Sequence, residues 1–276
     1  MFIFKLMKLI IFTTCKPFIG DDAWRQEQAI RSWTLLEGIE KKIIIIGNDY
    51  GTKEICDKYN LIHEPIIRNL NGIPYLHSMF EIANKYADDN DVMLWTNSDM
   101  IYYNSMITCI KYFKTYGVSI KNYLLVGSRI DWANPKVLDD LSFEHFNNNI
   151  NLNEGVNVNI CKTNSDKYEC YYHKPCGIDY VIHSKSTFIN NIDKNLVIAG
   201  TRHDMIMVGV GITNNFFTCD ITNVCPVIHQ NHGIVHSQKI NINKQNNLLC
   251  RGSQASITDT RYKMINNNTL CIVKRI

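Results

Sequence analysis

"DVMLWTNSDMIYY", Asp91 to Tyr103, is an apolar run that breaks into Asn-Ser-Asp and then turns apolar and Tyr-rich. Val92 to Trp95 offers no polar face, which marks a strand buried on both sides. Strands of that kind belong to parallel sheets covered by helices, and such sheets bind ligands beyond the carboxyl ends of their strands. Asn97 and Asp99 stand at that exit. A carboxylate beside an amide oxygen suits a hard divalent cation, Mg2+ or Mn2+, bridging a diphosphate. The same residue types also suit an ordinary turn.

The flanking sequence alternates in the way this reading requires. A first strand is predicted at Leu9–Thr13. Asp21 and Asp22 offer caps for the helix "AWRQEQAIRSWTLL", which stops at Gly38. "KKIIII" is a β-branched run ending in "GNDYG" turn chemistry, and "TKEICDKY" reads as a short helix closing at Asn60. A third strand is expected near Ile66. Pro74 suits a helical first turn, and Leu76, Phe80, Ala83 and Ala87 share one face of the helix that follows. Asn104 is placed to cap a helix running to Gly117, and "YLLVGSRID" is a further strand. Strand and helix alternate about every fifteen residues, which predicts an α/β fold with a mainly parallel central sheet and helices on both faces. Residues 146–167 are Asn-rich and read as an inserted loop. Order returns with "GIDYVIHSK", "NLVIAGTRHDMIMVGVGI", "FFTCDIT" and "VIHQNH".

The bulk numbers fit a core-forming globular chain of 276 residues, 45% hydrophobic and 20% charged. A net charge of +3 without a dominant basic stretch argues against a nucleic-acid partner. The ten cysteines form no CxxC pair and are too sparse for a disulfide scaffold, so reduced, buried thiols and a cytoplasmic setting are expected. Lys5 and Lys8 interrupt the apolar start, no small-residue cleavage site follows, and the run is too short to span a bilayer. The expectation is therefore no transmembrane segment. The Asn, Ile and Lys bias is that of an AT-rich genome, such as a parasite's or a large virus's.

Three strand exits are polar: Thr13-Thr14, Asn48-Asp49 and Asn97–Asp99. They recur in successive strand-loop units and can meet at one rim. His229, His232 and His236 are spaced three and four apart, one face of a helix, and imidazoles favour Mn2+ over Mg2+. Arg202, His203 and Asp204 enter an apolar helix. Asp204 reads either as its cap or as a general base toward an acceptor hydroxyl. Arg68, Asn69 and Gly72 precede a helix N-terminus, where backbone N–H groups suit an anion.

In this order, "IFTTCKPF", "IIIIGNDYG", "RNLNGIPYLHSMFEIA", "LWTNSDMIY", "GIDYVIHSK", "RHDMIM" and "DITNVCPVIHQNH" resemble the GT-A-type glycosyltransferases. The likeness is to a family-2-like group with an Asn-x-Asp form of the DxD motif and a late His-Gln-Asn-His; it extends to "NLLCRGSQASITDTRYKM" near the end.

The resemblance implies one Rossmann-like domain over 1–276. Within it lie a nucleotide-binding half (1–131), the Asn-rich insert, an acceptor and metal half (177–235) and a C-terminal tail (236–276) packed over the domain. It implies transfer of a sugar from a UDP- or GDP-sugar donor to a glycan or other hydroxyl acceptor, with inversion and with Mn2+ or Mg2+. Residue by residue, it puts Thr13 and Asp49 at the base and ribose, and Arg68 and Gly72 near the nucleotide-sugar. Asn97 falls at ribose or metal, Asp99 on the metal, and Asp179 and Tyr180 at the sugar or acceptor pocket. Asp204 takes the catalytic position, and His229 or His232 that of the late metal ligand.

Two departures stand out: Asn97 replaces the first acid of DxD, and His203-Asp204 replaces the Glu-Asp pair of many inverting members. Two other readings remain. A nucleotidyltransferase usually opens with a Gly-rich phosphate loop, which "TTCKPFIGDD" lacks. A non-catalytic nucleotide- or sugar-binding module of the same fold would share the motifs.

Overall fold

The computed structural model describes residues 7–116, 120–132, 170–175, 177–198, 202–230, 246–250, 252–266 and 270–274. The first half runs β1 (Lys8–Thr13), α1 (Gly20–Thr34), β2 (Glu40–Ile46), α2 (Thr52–Tyr59), β3 (Ile62–Glu64), the hairpin β4 (Asn69–Leu70) and β5 (Ile73–Pro74), and α3 (Leu76–Asn84). It continues through β6 (Val92–Thr96), β7 (Met100–Ile101), α4 (Asn104–Tyr116), β8 (Tyr123–Val126) and β9 (Ile130–Trp132). The second half adds β10 (Cys170–Tyr172), β11 (Tyr180–Ser184), α5 (His203–Thr213), β12 (Phe217–Asp220), β13 (Ile228–Gln230), β14 (Tyr262–Asn266) and β15 (Leu270–Lys274).

Nine strands form the central sheet in the order β15-β14-β12-β8-β11-β6-β1-β2-β3. β6, β1, β2 and β3 run parallel, as do β8, β12 and β14. β11 lies antiparallel between the two parallel blocks, and β15 is antiparallel at one edge. A separate four-stranded sheet, β10-β9-β13-β7, stands beside the exit of β6.

The apolar strands are buried on both faces because alternate side chains feed two cores. Leu9 and Ile11 share one core with Ile30 and Trp33 of α1 and Ile110 and Phe113 of α4. Ile10 and Phe12 share the other with Met79 and Phe80 of α3 and Met207 of α5. Each such side chain contributes about 1.5–3 kcal/mol through burial. Leu76, Phe80 and Ala83, read as one face, are buried on α3, and Ala87, read as its continuation, is buried just past the end of the helix.

Several boundaries differ from the sequence reading. α1 starts at Gly20 after an uncapped Ile19, so Asp21 and Asp22 lie inside its first turn, where Arg25 pairs with both at 3.4 Å. The third strand precedes Ile66, which is exposed. Pro74 closes β5 and does not open α3. Asn104 is the first residue of α4, and its Oδ1 accepts the Glu37 N–H at 2.9 Å. The C-terminal residues do more than cover the domain: β14 and β15 extend the sheet, and a Cβ on Gly209 of α5 would collide with the Ser253 carbonyl packed on it. The Asn-rich stretch 146–167, His232 and His236 lie outside the described residues. Cys15, Cys56, Cys109, Cys219 and Cys225 are buried free thiols. Among the described residues no helix is long and apolar enough to cross a membrane.

Among the titratable core residues, one histidine matters for acid stability. His183 of β11 sits edge-on to Phe80 and Phe188, with ring centroids 5.2 and 4.9 Å away, and its Nδ1 lies 2.9 Å from the Ser184 carbonyl. Burial pushes its pKa from 6.5 down to about 3. Between those values the unfolded chain binds the proton and the folded chain does not. Stability therefore holds above pH 6.5 and falls on acidification toward pH 3, by up to ~1.4 kcal/mol per pH unit from this group. Denaturant unfolding across that range should show a shallower acid dependence in His183→Phe; an unchanged slope would mean the imidazole is not the sensor.

Candidate functional site

Three parallel neighbours, β6, β1 and β2, deliver their carboxyl ends to one rim. The rim is stitched before any ligand arrives. Thr13 Oγ1 donates to the Thr96 carbonyl at 2.6 Å. Phe18 N–H donates to the Tyr50 carbonyl at 2.7 Å, joining the loops after β1 and β2. Gln26 of α1 accepts from Lys16 N–H at 2.7 Å and from Ser98 Oγ at 2.9 Å, which fixes the middle of the Asn-Ser-Asp triplet.

The small sheet supplies the rest. β13 pairs with β7, placing His229 opposite Met100, and with β9, placing His229 opposite Asp131. Gln230 Nε2 donates to the Asp99 carbonyl at 3.2 Å and to the Arg25 carbonyl at 2.8 Å. His229 is thereby held against Asp99 in the turn after β6. Its Nε2 lies 3.5 Å from Asp99 Oδ2, and its Nδ1 lies 2.9 Å from Asp131 Oδ1. The other oxygen of Asp131 is 2.6 Å from Nδ1 of His173.

A largely covered guanidinium, that of Arg129, ties this cluster to a third carboxylate. Arg129 Nε donates to Asp131 Oδ1 at 2.8 Å, and Nη1 pairs closely with Asp179 Oδ2. Asp179 precedes β11, and the antiparallel register with β6 sets it beside Asn97. Asn97 Nδ2 donates to Asp179 Oδ1 at 2.6 Å, and Asn97 N–H donates to the Asp179 carbonyl at 2.9 Å.

Electrostatics follow the contacts. Burial disfavours ionised Asp131, but hydrogen bonds from His229 and His173 and the charge of Arg129 overcome it and hold the carboxyl far below its usual range. Burial likewise lowers His229, but Asp131 and Asp99 outweigh it and lift the imidazole to about 9. The ring is a cation between two carboxylates unless a metal ion takes the place of its Nε2 proton. Two ligands about 2.1 Å from one cation stand roughly 3–3.5 Å apart at angles near 90–110°. The Asp99–His229 separation meets that condition. Among the described residues no group of three His, Cys, Asp or Glu side chains is arranged to hold an ion.

Asp204 lies in the first turn of α5, whose N-cap is Arg202 at φ +91°, so it does not cap the helix. Its Oδ1 accepts the Met205 N–H at 2.8 Å, and its Oδ2 lies 3.5 Å from Ile178 N, next to Asp179. Burial is the main cause raising its pKa, and Asp179 adds to it against the opposing His203.

The remaining residues named from sequence fall less neatly. Thr13 is buried with its hydroxyl turned to Thr96, so it does not present that group to a ligand. Tyr180 is fully buried, its ring 6.0 Å from that of Tyr102, and faces the core instead of a pocket. Asp49 is exposed on the loop after β2. Arg68 is exposed with its guanidinium 5.2 Å from the Tyr75 ring centre. Gly72 does not open a helix: Asn71 (φ +52°) and Gly72 (φ +85°) form the two-residue turn of the β4–β5 hairpin, where both positions require positive φ. Arg129, Asp131 and His173 were not singled out from sequence, although Arg-Ile-Asp at the exit of an apolar strand repeats the polar-exit pattern of the other strands.

The Asn97–Asp179 contact is testable. Asn97→Asp would set two carboxylates against each other, so one is held protonated or both are strained. The variant should lose about 1–3 kcal/mol near neutral pH. A carboxyl raised in the folded state binds its proton there first, so stability falls as pH rises through its folded pKa. The deficit should therefore shrink in acid. Urea unfolding at acidic and neutral pH measures both effects, and a pH-independent deficit would contradict the contact.

No family model matches the sequence, and no curated protein matches it. Solved structures do. Glucosyl-3-phosphoglycerate synthase from Mycobacterium tuberculosis, in complex with Mn2+, UDP and glucosyl-3-phosphoglycerate, matches with TM-score 0.50 at 10% identity, covering 98% of this chain and 87% of that one. S. aureus TarS 1-349 in complex with UDP-GlcNAc matches at TM-score 0.36 and 16% identity, covering 45% of this chain. The chain spans about a third, 35%, of that TarS structure. At these identities the likeness concerns the fold, and the fold is that of the GT-A-type glycosyltransferases.

Proposed function

We propose that the protein is a metal-dependent glycosyltransferase that moves a sugar from a UDP- or GDP-sugar to an acceptor hydroxyl with inversion. The observation that carries this reading is the Asp99–His229 pair, 3.5 Å apart at the carboxyl-end rim of the sheet. Asp99 and His229 would hold Mn2+ or Mg2+, and His232 remains a candidate further ligand. A divalent ion bound there supplies charge neutralisation for the leaving diphosphate. Sites with few protein ligands keep coordination positions for substrate phosphate oxygens.

The chain's own residues do the rest of the work. Asp49 stands exposed at the rim, suited to a ribose or base contact. Arg68, exposed and stacked on Tyr75, suits a phosphate oxygen. Asp179, fixed by Arg129 and Asn97, presents an oriented carboxylate toward sugar hydroxyls. Asp204 takes the proton of the acceptor hydroxyl as the oxygen attacks the anomeric carbon. Its raised pKa brings it closer to that of a working base. His203, edge-on to Trp95 with ring centroids 5.6 Å apart, flanks it where many inverting members carry a glutamate.

Calorimetry with UDP and GDP, with and without Mn2+, should show nucleotide binding that depends on the ion and weakens at least tenfold in Asp99→Ala. Sugar turnover should stop in EDTA. Binding and turnover both unaffected by EDTA and by Asp99→Ala would end the metal reading. Binding without turnover on any acceptor would favour a non-catalytic module. The pH profile of turnover should rise through the folded pKa of Asp204, above the usual carboxylate range, and Asp204→Asn should abolish it while keeping nucleotide affinity.

A further inference from the structure

Asp131 stands one layer behind the proposed cation site. It is buried on β9, and strand pairing sets it opposite His229 of β13, a residue 98 positions later in the chain. Its Oδ1 lies 2.9 Å from His229 Nδ1, and the same oxygen takes the Arg129 Nε–H at 2.8 Å. Its Oδ2 is 2.6 Å from His173 Nδ1. These contacts converge on one buried carboxylate.

We propose that Asp131 is the positioning residue of the cation site: it takes the Nδ1–H of His229 and thereby leaves the Nε2 lone pair for the cation that His229 and Asp99 would share. This rests on the metal reading given above and adds a residue to it. The physical reason is tautomeric. A neutral imidazole carries one N–H. A carboxylate at Nδ1 fixes that proton there, leaves Nε2 as the donor atom, and sets the ring plane. Arg129 and His173 serve the same end by holding the Asp131 carboxylate from other directions. They also keep its charge from standing alone in a buried position. The backbone gives the arrangement its accuracy, because His229 and Asp131 lie on paired strands and not on loops.

The test is Mn2+ affinity of the full chain, followed by the electron paramagnetic resonance signal of free Mn2+, with UDP present at saturation. Removing a carboxylate behind a metal-bound histidine typically weakens the metal 10- to 100-fold. Asp131→Ala should do so, and Asp131→Asn, whose amide oxygen still accepts from Nδ1–H, should fall between it and the unaltered protein. Asp131→Asn also keeps the volume and an acceptor for Arg129, so it serves alone if the alanine variant does not fold. In a His229→Ala background, Asp131→Asn should change Mn2+ affinity less than twofold, because the ring it positions is gone. A purely structural role would weaken binding equally in both backgrounds, and that result, or an Asp131→Asn affinity equal to the unaltered protein's, overturns this proposal while leaving the cation site standing. No Mn2+ binding by the unaltered protein overturns the cation site and this proposal together.

Discussion

A carboxylate withdrawn from water must be met by a cation or by hydrogen-bond donors, and this protein withdraws three at one rim. Asp99 follows the exit of β6, Asp131 lies on β9, and Asp179 stands at the entry of β11. Left uncompensated, their mutual repulsion and desolvation would cost several kcal/mol. The guanidinium of Arg129 answers two of them at once, and His229 links the third to the same network. The circuit runs from Asn97 through Asp179, Arg129, Asp131 and His229 to Asp99, which is two residues from where it began. Removing any member leaves a buried charge or dipole facing the gap. The compensation therefore fixes the relative positions of β6, β9, β11 and β13 as much as any apolar contact does.

The two sheets divide the labour. The large sheet, with both faces covered, supplies stability and brings parallel strand ends to one side. The small sheet carries little of either hydrophobic core. Its contribution is register: β13 runs between β7 and β9, and one strand residue, His229, faces partners from both. A side chain on a paired strand has few backbone alternatives, so a ligand atom placed this way is held more tightly than one on a free loop. β11 does the matching task within the main sheet. Because it is antiparallel to β6, its beginning meets the end of β6, which is why Asp179 can reach Asn97.

Much of this was legible in the chain, and what was not has identifiable causes. Continuous runs such as Ile43–Ile46 and Val92–Trp95 announced doubly buried strands, since both faces of the sheet demand apolar side chains. Asp99 and His229 were visible as polar residues after such runs. Arg129 and Asp131 were not, because their meaning depends on a pairing between β9 and β13 across nearly a hundred residues, and local periodicity carries no trace of that. Arg68, Asn69 and Gly72 were read as the approach to an anion-binding helix, yet the Asn-Gly at 71–72, flanked by short extended segments, is first of all a hairpin signal. Thr13 and Tyr180 look polar in sequence, but each alternates inward on its strand. The C-terminal strands looked like a polar covering because they lie toward the sheet edge, where most of their described side chains are only partly buried.

The departure at Asn97 takes on a different meaning in this light. Seen alone, an amide in the first position of a DxD-like triplet is a missing charge. In the folded protein its Nδ2 donates to Asp179 at 2.6 Å, a place where a second carboxylate would meet like charge at hydrogen-bond distance. The negative charge has not left the neighbourhood; it sits on β11's side of the contact, oriented by Arg129. An acidic residue at 97 and an acidic residue at 179 are therefore alternatives, and this chain has settled on the second. The consequence is directional. A carboxylate at 97 would lie on the same loop as Asp99, beside the proposed cation, whereas Asp179 leads into β11 directly after Ile178, whose N–H faces Asp204. The exchange shifts one negative charge from the side of the proposed cation toward the side of Asp204, the proposed base. That charge contributes to holding the Asp204 carboxyl above its usual range. The substitution that weakens the motif as a metal ligand is thus coupled, through one hydrogen bond, to the group proposed to accept the proton.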